Sequence, residues 1–214
     1  MNKLDTTLYF ITDSTGYEEN EFLYRVEQAL NGGVTIMQLR EKNGSTREYM
    51  RLAQRVHDIA VKYNVPLIID DRLDVAMAVG AEGVHLGQSD MPVSAARRIA
   101  GDNMIIGATT KTVEQAIEAS VSGADYLGVG AIYPTTTKVI TVLTPVETLK
   151  NICQSVTIPV NAIGGLNKDN IGILKGTGIS GVCAVSAIMK SDDPCASAGE
   201  LKQAFIRLRN ADKY

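Results

Sequence analysis

A glycine-led entry into an apolar strand recurs four times along the chain: Gly33-Val34-Thr35-Ile36, Gly80-Ala81-Glu82-Gly83-Val84, Gly123-Ala124-Asp125-Tyr126-Leu127 and Gly178-Ile179-Ser180-Gly181-Val182. The starts are 47, 43 and 55 residues apart, room for two βα units in each interval. Glycine ends a helix in the left-handed conformation at little steric cost, so each repeat reads as a helix stop followed by a strand start. Short apolar runs set between turn signals predict strands over 8–12, 35–40, 67–70, 83–86, 105–109, 126–129, 159–163 and 181–185. Eight strands, each followed by a helix, is the count of a closed (β/α)8 barrel of the TIM-barrel class. All 214 residues, 1–214, are read as a single domain of that kind. A doubly wound open sheet is the alternative. It ordinarily carries a Gly-rich first βα turn, whereas the first turn here is Thr12-Asp13-Ser14-Thr15-Gly16.

The helices carry start signals. Ser45-Thr46-Arg47-Glu48 and Thr112-Val113-Glu114-Gln115 read as capping boxes. Thr144-Pro145-Val146-Glu147 puts a proline at the first helical position, where its missing N–H is harmless. Helical spacing predicts buried stripes of Tyr49, Leu52, Ala53, Val56, Ile59, Ala60 and Tyr63 in the second helix. The fifth is expected to bury Val113, Ala116, Ile117, Ser120 and Val121, and the last Leu201, Ala204, Phe205 and Leu208.

Apolar runs such as Val65-Pro66-Leu67-Ile68-Ile69 are too short to span a bilayer, so no membrane is expected. Met1-Asn2-Lys3-Leu4-Asp5 has no signal-peptide pattern, and the protein is expected to be cytoplasmic. Cys153, Cys183 and Cys195 are too few and too far apart for a disulfide framework. The net charge is −3 with no basic tract, which argues against nucleic acid. Any anion site must be a local cluster. A homo-oligomer is compatible with the chain.

In such barrels the chemistry sits at the carboxyl ends of the strands. Strand two ends Gln38-Leu39-Arg40-Glu41-Lys42, strand three Asp70-Asp71-Arg72, and strand four runs into Gly87-Gln88-Ser89-Asp90. Strand five ends at Thr109, and strand six leads to Tyr133-Pro134-Thr135-Thr136-Thr137-Lys138. Strand seven ends Gly164-Gly165 and strand eight Val185-Ser186. Arg40, Lys42 and Lys138 supply positive charge for phosphate oxygens. Asp71 and Asp90 are hard oxygen donors of the kind that hold Mg²⁺ together with phosphate and water. The glycine pair and Ser186 suggest a second, backbone-lined phosphate site. Taken singly, each has a plain alternative. Asp71-Arg72 reads also as a surface pair at a helix start, 134–138 as a polar loop, and Gly164-Gly165 as a turn. His57 reads as structural, and His85 as a satisfied histidine in the core or near the mouth.

Together these segments, with Gly83-Val84-His85-Leu86 and Val185-Ser186-Ala187-Ile188, resemble the signatures of the thiamine phosphate synthase family from about Leu8 to Ile188. The resemblance implies a Mg²⁺-dependent transferase joining a hydroxymethylpyrimidine pyrophosphate to a thiazole phosphate, with loss of pyrophosphate. It implies that Gln38, Leu39, Arg40, Glu41 and Lys42 cradle the pyrophosphate substrate and that Asp71 and Asp90 hold the metal. By the same resemblance Lys138 contacts the departing pyrophosphate. Thr135, Thr136 and Thr137 hold the thiazole phosphate with Gly165, Val185 and Ser186. Thr109 stands where the family commonly has serine, and Asp70 where it usually has asparagine. An ionised aspartate cannot donate a hydrogen bond, so Asp70 is expected to be protonated, to face the metal, or to point away. The apolar stretch 139–143 is a second departure. A thiazole tautomerase-like relative and a non-catalytic phosphate-binding barrel are the rival readings.

Overall fold

The computed structural model describes residues 4–134 and 142–211. The first half of the barrel is β1 (Leu8–Ile11), α1 (Glu19–Asn31), β2 (Ile36–Leu39), α2 (Thr46–Lys62), β3 (Leu67–Asp70), α3 (Leu73–Val79), β4 (Gly83–Leu86) and α4 (Val93–Ala100). The second is β5 (Ile105–Thr110), α5 (Val113–Val121), β6 (Tyr126–Gly130), α6 (Val146–Ser155), β7 (Val160–Ile163) and β8 (Gly181–Ala184), followed by α7 (Ser186–Met189) and α8 (Pro194–Ala211). Every strand pairs in parallel with its sequence neighbours, and β1 also pairs with β8. The sheet is a closed ring in sequence order, which excludes the open doubly wound alternative.

Strand alternation sorts the side chains into two layers. Tyr9, Ile11, Ile36, Ile68, Tyr126 and Cys183 form the cluster inside the ring. The intervening residues, such as Phe10, Met37, Leu39, Ile69 and Leu127, pack outward against the helices. Tyr126 is large for the interior of so small a ring, and Gly107 on the adjacent strand makes room for it. A Cβ at Gly107 would lie 2.1 Å from Tyr126 Cζ and 2.5 Å from His85 Nδ1.

All four repeat glycines, Gly33, Gly80, Gly123 and Gly178, have positive φ, as the repeat requires. The Ser45 box is complete, with Glu48 N–H bonded to Ser45 Oγ and Glu48 Oε2 accepting from Ser45 N–H at 2.7 Å. At Thr112 only the forward bond forms. Gln115 reaches one residue further back, to Lys111 N–H at 2.8 Å. Pro145 is the N-cap of α6 rather than its first helical residue.

The stripe of α2 packs as expected, with Tyr49, Ala53, Val56 and Ala60 buried and Leu52, Ile59 and Tyr63 against the same core. In α8, Leu201 and Phe205 are buried, with Ala204 and Leu208 partly so. The stripe of α5 differs. Ala116 and Ala119 are buried, while Ile117 is 44% and Val121 85% exposed. The small alanines allow α5 to approach the barrel closely, and that turns the branched residues outward. Nor does an α-helix follow every strand. After β7 comes only a 3₁₀ turn, Ile171–Leu174. Asn167 and Asn170 bond the backbone there (Asn167 Oδ1 from Asp169 N–H at 2.9 Å, Asn170 Oδ1 from Asn167 N–H at 2.8 Å) and offer it an alternative to the helical ladder.

Candidate active site

The carboxyl ends of the strands open on a cavity of about 210 Å³. Gln38, Arg40, Asp70, Thr109, Gly165, Val185 and Ser186 all line it, so seven of the expected residues meet in one place. Gln38 and Arg40 share strand parity with Ile36, which points into the ring, and both face inward. Leu39 has the opposite parity. Its side chain is fully buried under the helices, so it does not face the cavity.

Glu41, Lys42 and Asp71 border a neighbouring cleft of about 180 Å³ together with Tyr49 and Arg72. Glu41 Oε2 accepts from Ser14 Oγ at 2.9 Å, and burial pushes its carboxyl above the usual range. Arg72 pairs with Asp74, not Asp71. Asp71 adopts φ +53°, a left-handed conformation that few non-glycine residues take, and its N–H bonds the carbonyl of His85 at 2.9 Å. Asp90 turns back on its own loop, with Oδ2 accepting from Gly87 N–H at 2.6 Å. Thr135, Thr136, Thr137 and Lys138 lie outside the described residues.

Asp70 faces the cavity, with a side chain only 13% exposed, so it does not point away. Lys42 Nζ stands 2.5 Å from Oδ2 of both Asp70 and Asp71. The Asp71 contact is a hydrogen bond, whereas Asp70 Oδ2 has no hydrogen-bond partner of good geometry. Burial pushes the Asp70 carboxyl up, and Lys42 offsets this only in part. Burial opposes charge on Lys42, but the two carboxylates outweigh it and hold the ammonium above its ordinary range.

Arg40 makes no ion pair or side-chain hydrogen bond among the described residues; its N–H bonds Thr12 Oγ1 at 3.1 Å. A second cation, Lys111, also lines the cavity. Strand β5 runs one residue beyond the expected end, and Lys111 follows Thr109 by two, on the same side. That i, i+2 relation is the signal in the sequence for this residue. On the opposite side, Gly164 and Gly165 have φ of +108° and +64°. A Cβ at Gly164 would lie 2.4 Å from Ala131 Cβ, so the glycine pair lets this turn lie against the loop after β6.

His85 is buried inside the ring. Its Nε2 is 2.9 Å from Thr109 Oγ1 and its Nδ1 is 3.0 Å from Tyr126 Oη. Burial lowers its pKa to about 4, with Asp90 opposing and Lys42 assisting, so the ring is neutral near pH 7. His57 pairs with Glu82 at 3.1 Å on the outer layer, in keeping with a structural role. The three cysteines are free.

A closed ring of parallel strands with inward cations and a glycine-lined wall at its mouth defines an α/β-barrel enzyme with a cavity of small-molecule size. A family model described as thiamine monophosphate synthase matches residues 8–188. The thiamine-phosphate synthase 2 of Streptococcus pneumoniae is 51% identical over 207 residues, 97% of each chain. The thiamine-phosphate synthase of Ruminiclostridium cellulolyticum is 48% identical over 205 residues, covering 96% of this chain and 98% of its own. The solved structure of a thiamine phosphate pyrophosphorylase from Pyrococcus furiosus superposes with a TM-score of 0.87 at 40% identity, covering 96% of this chain and 98% of its own. The chain belongs to the thiamine monophosphate synthase family. Among the described residues no helix is long and apolar enough to cross a membrane.

Proposed function

We propose that this chain condenses a hydroxymethylpyrimidine pyrophosphate with a thiazole phosphate, in the presence of Mg²⁺, to give thiamine phosphate and pyrophosphate. Family membership makes it a transferase that forms thiamine phosphate. The observation that carries the reading further is Arg40, an inward guanidinium with no ion pair or side-chain hydrogen bond among the described residues, facing a cavity that Lys111 also lines. A half-buried cation of this kind is costly without a partner, and a phosphate group would supply one.

The residues present fit a hard divalent cation. No group of three or more His, Cys, Asp or Glu side chains is gathered among the described residues, which leaves zinc-type sites aside. Mg²⁺ is commonly held by one or two carboxylates, with phosphate and water completing its shell. Asp71 would be one ligand, and Asp90 a second through the oxygen not bonded to Gly87. When bound, Mg²⁺ neutralises charge that grows on the leaving pyrophosphate.

Among the residues named for the reaction there is no nucleophile–base pair. The bond between the exocyclic methylene carbon and the pyrophosphate oxygen would break first, the electron pair leaving with pyrophosphate. The benzylic-type cation would then be captured by the thiazole nitrogen. Arg40, Lys42 and Lys138 would grip the pyrophosphate and stabilise it as it departs. Gln38 and Thr109 would orient the pyrimidine ring, while Gly165, Val185, Ser186 and the threonines at 135–137 would hold the thiazole phosphate. Net charge −3 and the lack of a basic tract support small-molecule substrates rather than nucleic acid.

The test is direct. Both substrates with Mg²⁺ should yield thiamine phosphate, and EDTA should stop it. A folded sample that binds thiazole phosphate without turnover would overturn the synthase reading.

A further inference from the structure

A continuous line of hydrogen bonds crosses the interior of the barrel beneath the cavity. Gln38 Nε2 on β2 donates to Tyr9 Oη on β1 at 2.9 Å. Tyr9 Oη is 2.7 Å from Tyr126 Oη on β6. Tyr126 Oη is 3.0 Å from His85 Nδ1 on β4, and His85 Nε2 is 2.9 Å from Thr109 Oγ1 on β5. Only Gln38, His85 and Thr109 border the cavity; the two tyrosines are sealed below it.

Proton counting orders this chain. Tyr9 Oη receives the Gln38 N–H, so its single proton goes to Tyr126 Oη. Tyr126 Oη, having accepted, spends its own proton on His85 Nδ1. Nδ1 must then be bare, which puts the ring proton on Nε2, and Nε2–H donates to Thr109 Oγ1. Thr109 therefore accepts from below and keeps its own O–H free for the cavity. The same ordering leaves Gln38 Oε1 as an acceptor. The reverse ordering would consume the Thr109 proton on His85 and turn the hydroxyl into an acceptor only.

We propose that Tyr126 and His85 are positioning residues that set the polarity of the cavity floor, holding Thr109 as a hydrogen-bond donor and Gln38 as an acceptor. Neither tyrosine touches the ligand; they act through His85 and Gln38. The floor would then select a ligand edge with an acceptor nitrogen and an N–H donor, and would disfavour one with those roles exchanged. An aminopyrimidine has such an edge, and this part of the inference rests on the substrate proposed above.

Two measurements test it. The first is nitrogen-detected NMR of the histidine rings in the wild-type protein. The chain has only two histidines, and His57→Gln identifies the remaining signal as His85. A neutral ring protonated at Nε2 is expected; a ring protonated at Nδ1, or at both nitrogens, overturns the proposal. This result needs no turnover, so it stands or falls apart from the synthase reading. The second is Tyr126→Phe, which keeps the volume and cuts the chain. It should lower kcat/KM for the pyrimidine pyrophosphate about tenfold and leave KM for the thiazole phosphate within about twofold. His85→Gln, which can still place an N–H near Thr109, should retain more of that kcat/KM than His85→Met. Equal losses towards both substrates, or equal activity of the two His85 variants, would mean a role in packing alone and would overturn the proposal.

Discussion

Lys42 Nζ lies 2.5 Å from Asp70 Oδ2, yet that oxygen gains no well-formed hydrogen bond from it. The lysine is shared with Asp71, to which it is properly bonded at 2.5 Å. Asp70 is thus a buried carboxylate with half a partner, and burial keeps its pKa above the ordinary aspartate value of 3.8. Lys42 is held partly on protein carboxylates rather than being wholly free for a phosphate.

Asp70→Asn should preserve or raise activity, because it removes one anion competing for Lys42 and restores a donor. Its stability effect has a definite sign with pH. In wild type the unfolded chain loses this proton before the folded one, so stability falls as pH rises from the ordinary value through the raised folded one. The variant lacks that loss. Urea unfolding in EDTA from acid to neutral pH should show the variant gaining on wild type as pH rises. A large loss of activity would mean that the carboxylate itself is needed, as a metal ligand would be.

Arg40→Met should separate function from folding. Removing the guanidinium should cost about 100-fold in kcat/KM for the pyrophosphate substrate. Because Arg40 has no ion pair to lose among the described residues, the melting temperature should stay or rise. Arg40→Lys should recover only part of the activity, since the bidentate grip is gone.

Tyr49 ties the two strand ends that frame the Lys42 cleft. Its hydroxyl reaches the carbonyls of Leu39 at 2.9 Å and Asp70 at 3.3 Å. Tyr49→Phe should cost about 1 kcal/mol in chemical denaturation. It should also raise KM for the pyrophosphate substrate, because Lys42 and Asp70 lose their mutual alignment.

Arg97 offers the opposite case. It bonds the carbonyls of Gly101, Met104 and Gly123 at 2.7–3.1 Å and the Asp125 carboxylate at 2.6 Å, all near the amino ends of β5 and β6. Arg97→Ala should cost about 2–4 kcal/mol and leave kcat and both KM values unchanged in whatever fraction folds. This end of such a barrel serves stability, not chemistry.

The ring was readable because two signals agreed: the glycine repeat and the apolar strand runs. The strand-end residues were readable because polar groups at the end of an apolar strand have few other reasons to be there. What was less legible follows from parity and from size. Leu39 stands between Gln38 and Arg40 in the segment that the resemblance singles out, and strand alternation turns its side chain to the other layer. Lys111 is hard to see from the sequence because the apolar run of strand five stops short of it, while the strand itself runs to Thr110. In α5 the expected stripe holds at Ala116, but close packing against the barrel favours Ala119 over Ile117 and Val121. The chain from Gln38 to Thr109 was not visible at all, because five residues on five strands meet only once the ring closes.

That interior chain also bears on how the protein can change. Gln38, Tyr9, Tyr126, His85 and Thr109 share protons in sequence, so the donor role of each depends on the next. Substitutions at two of them will not combine as independent steps. A second change can restore what a first one removed, or be neutral only after it. The floor of this barrel will therefore drift as a set, and single-residue scans will understate which combinations it tolerates.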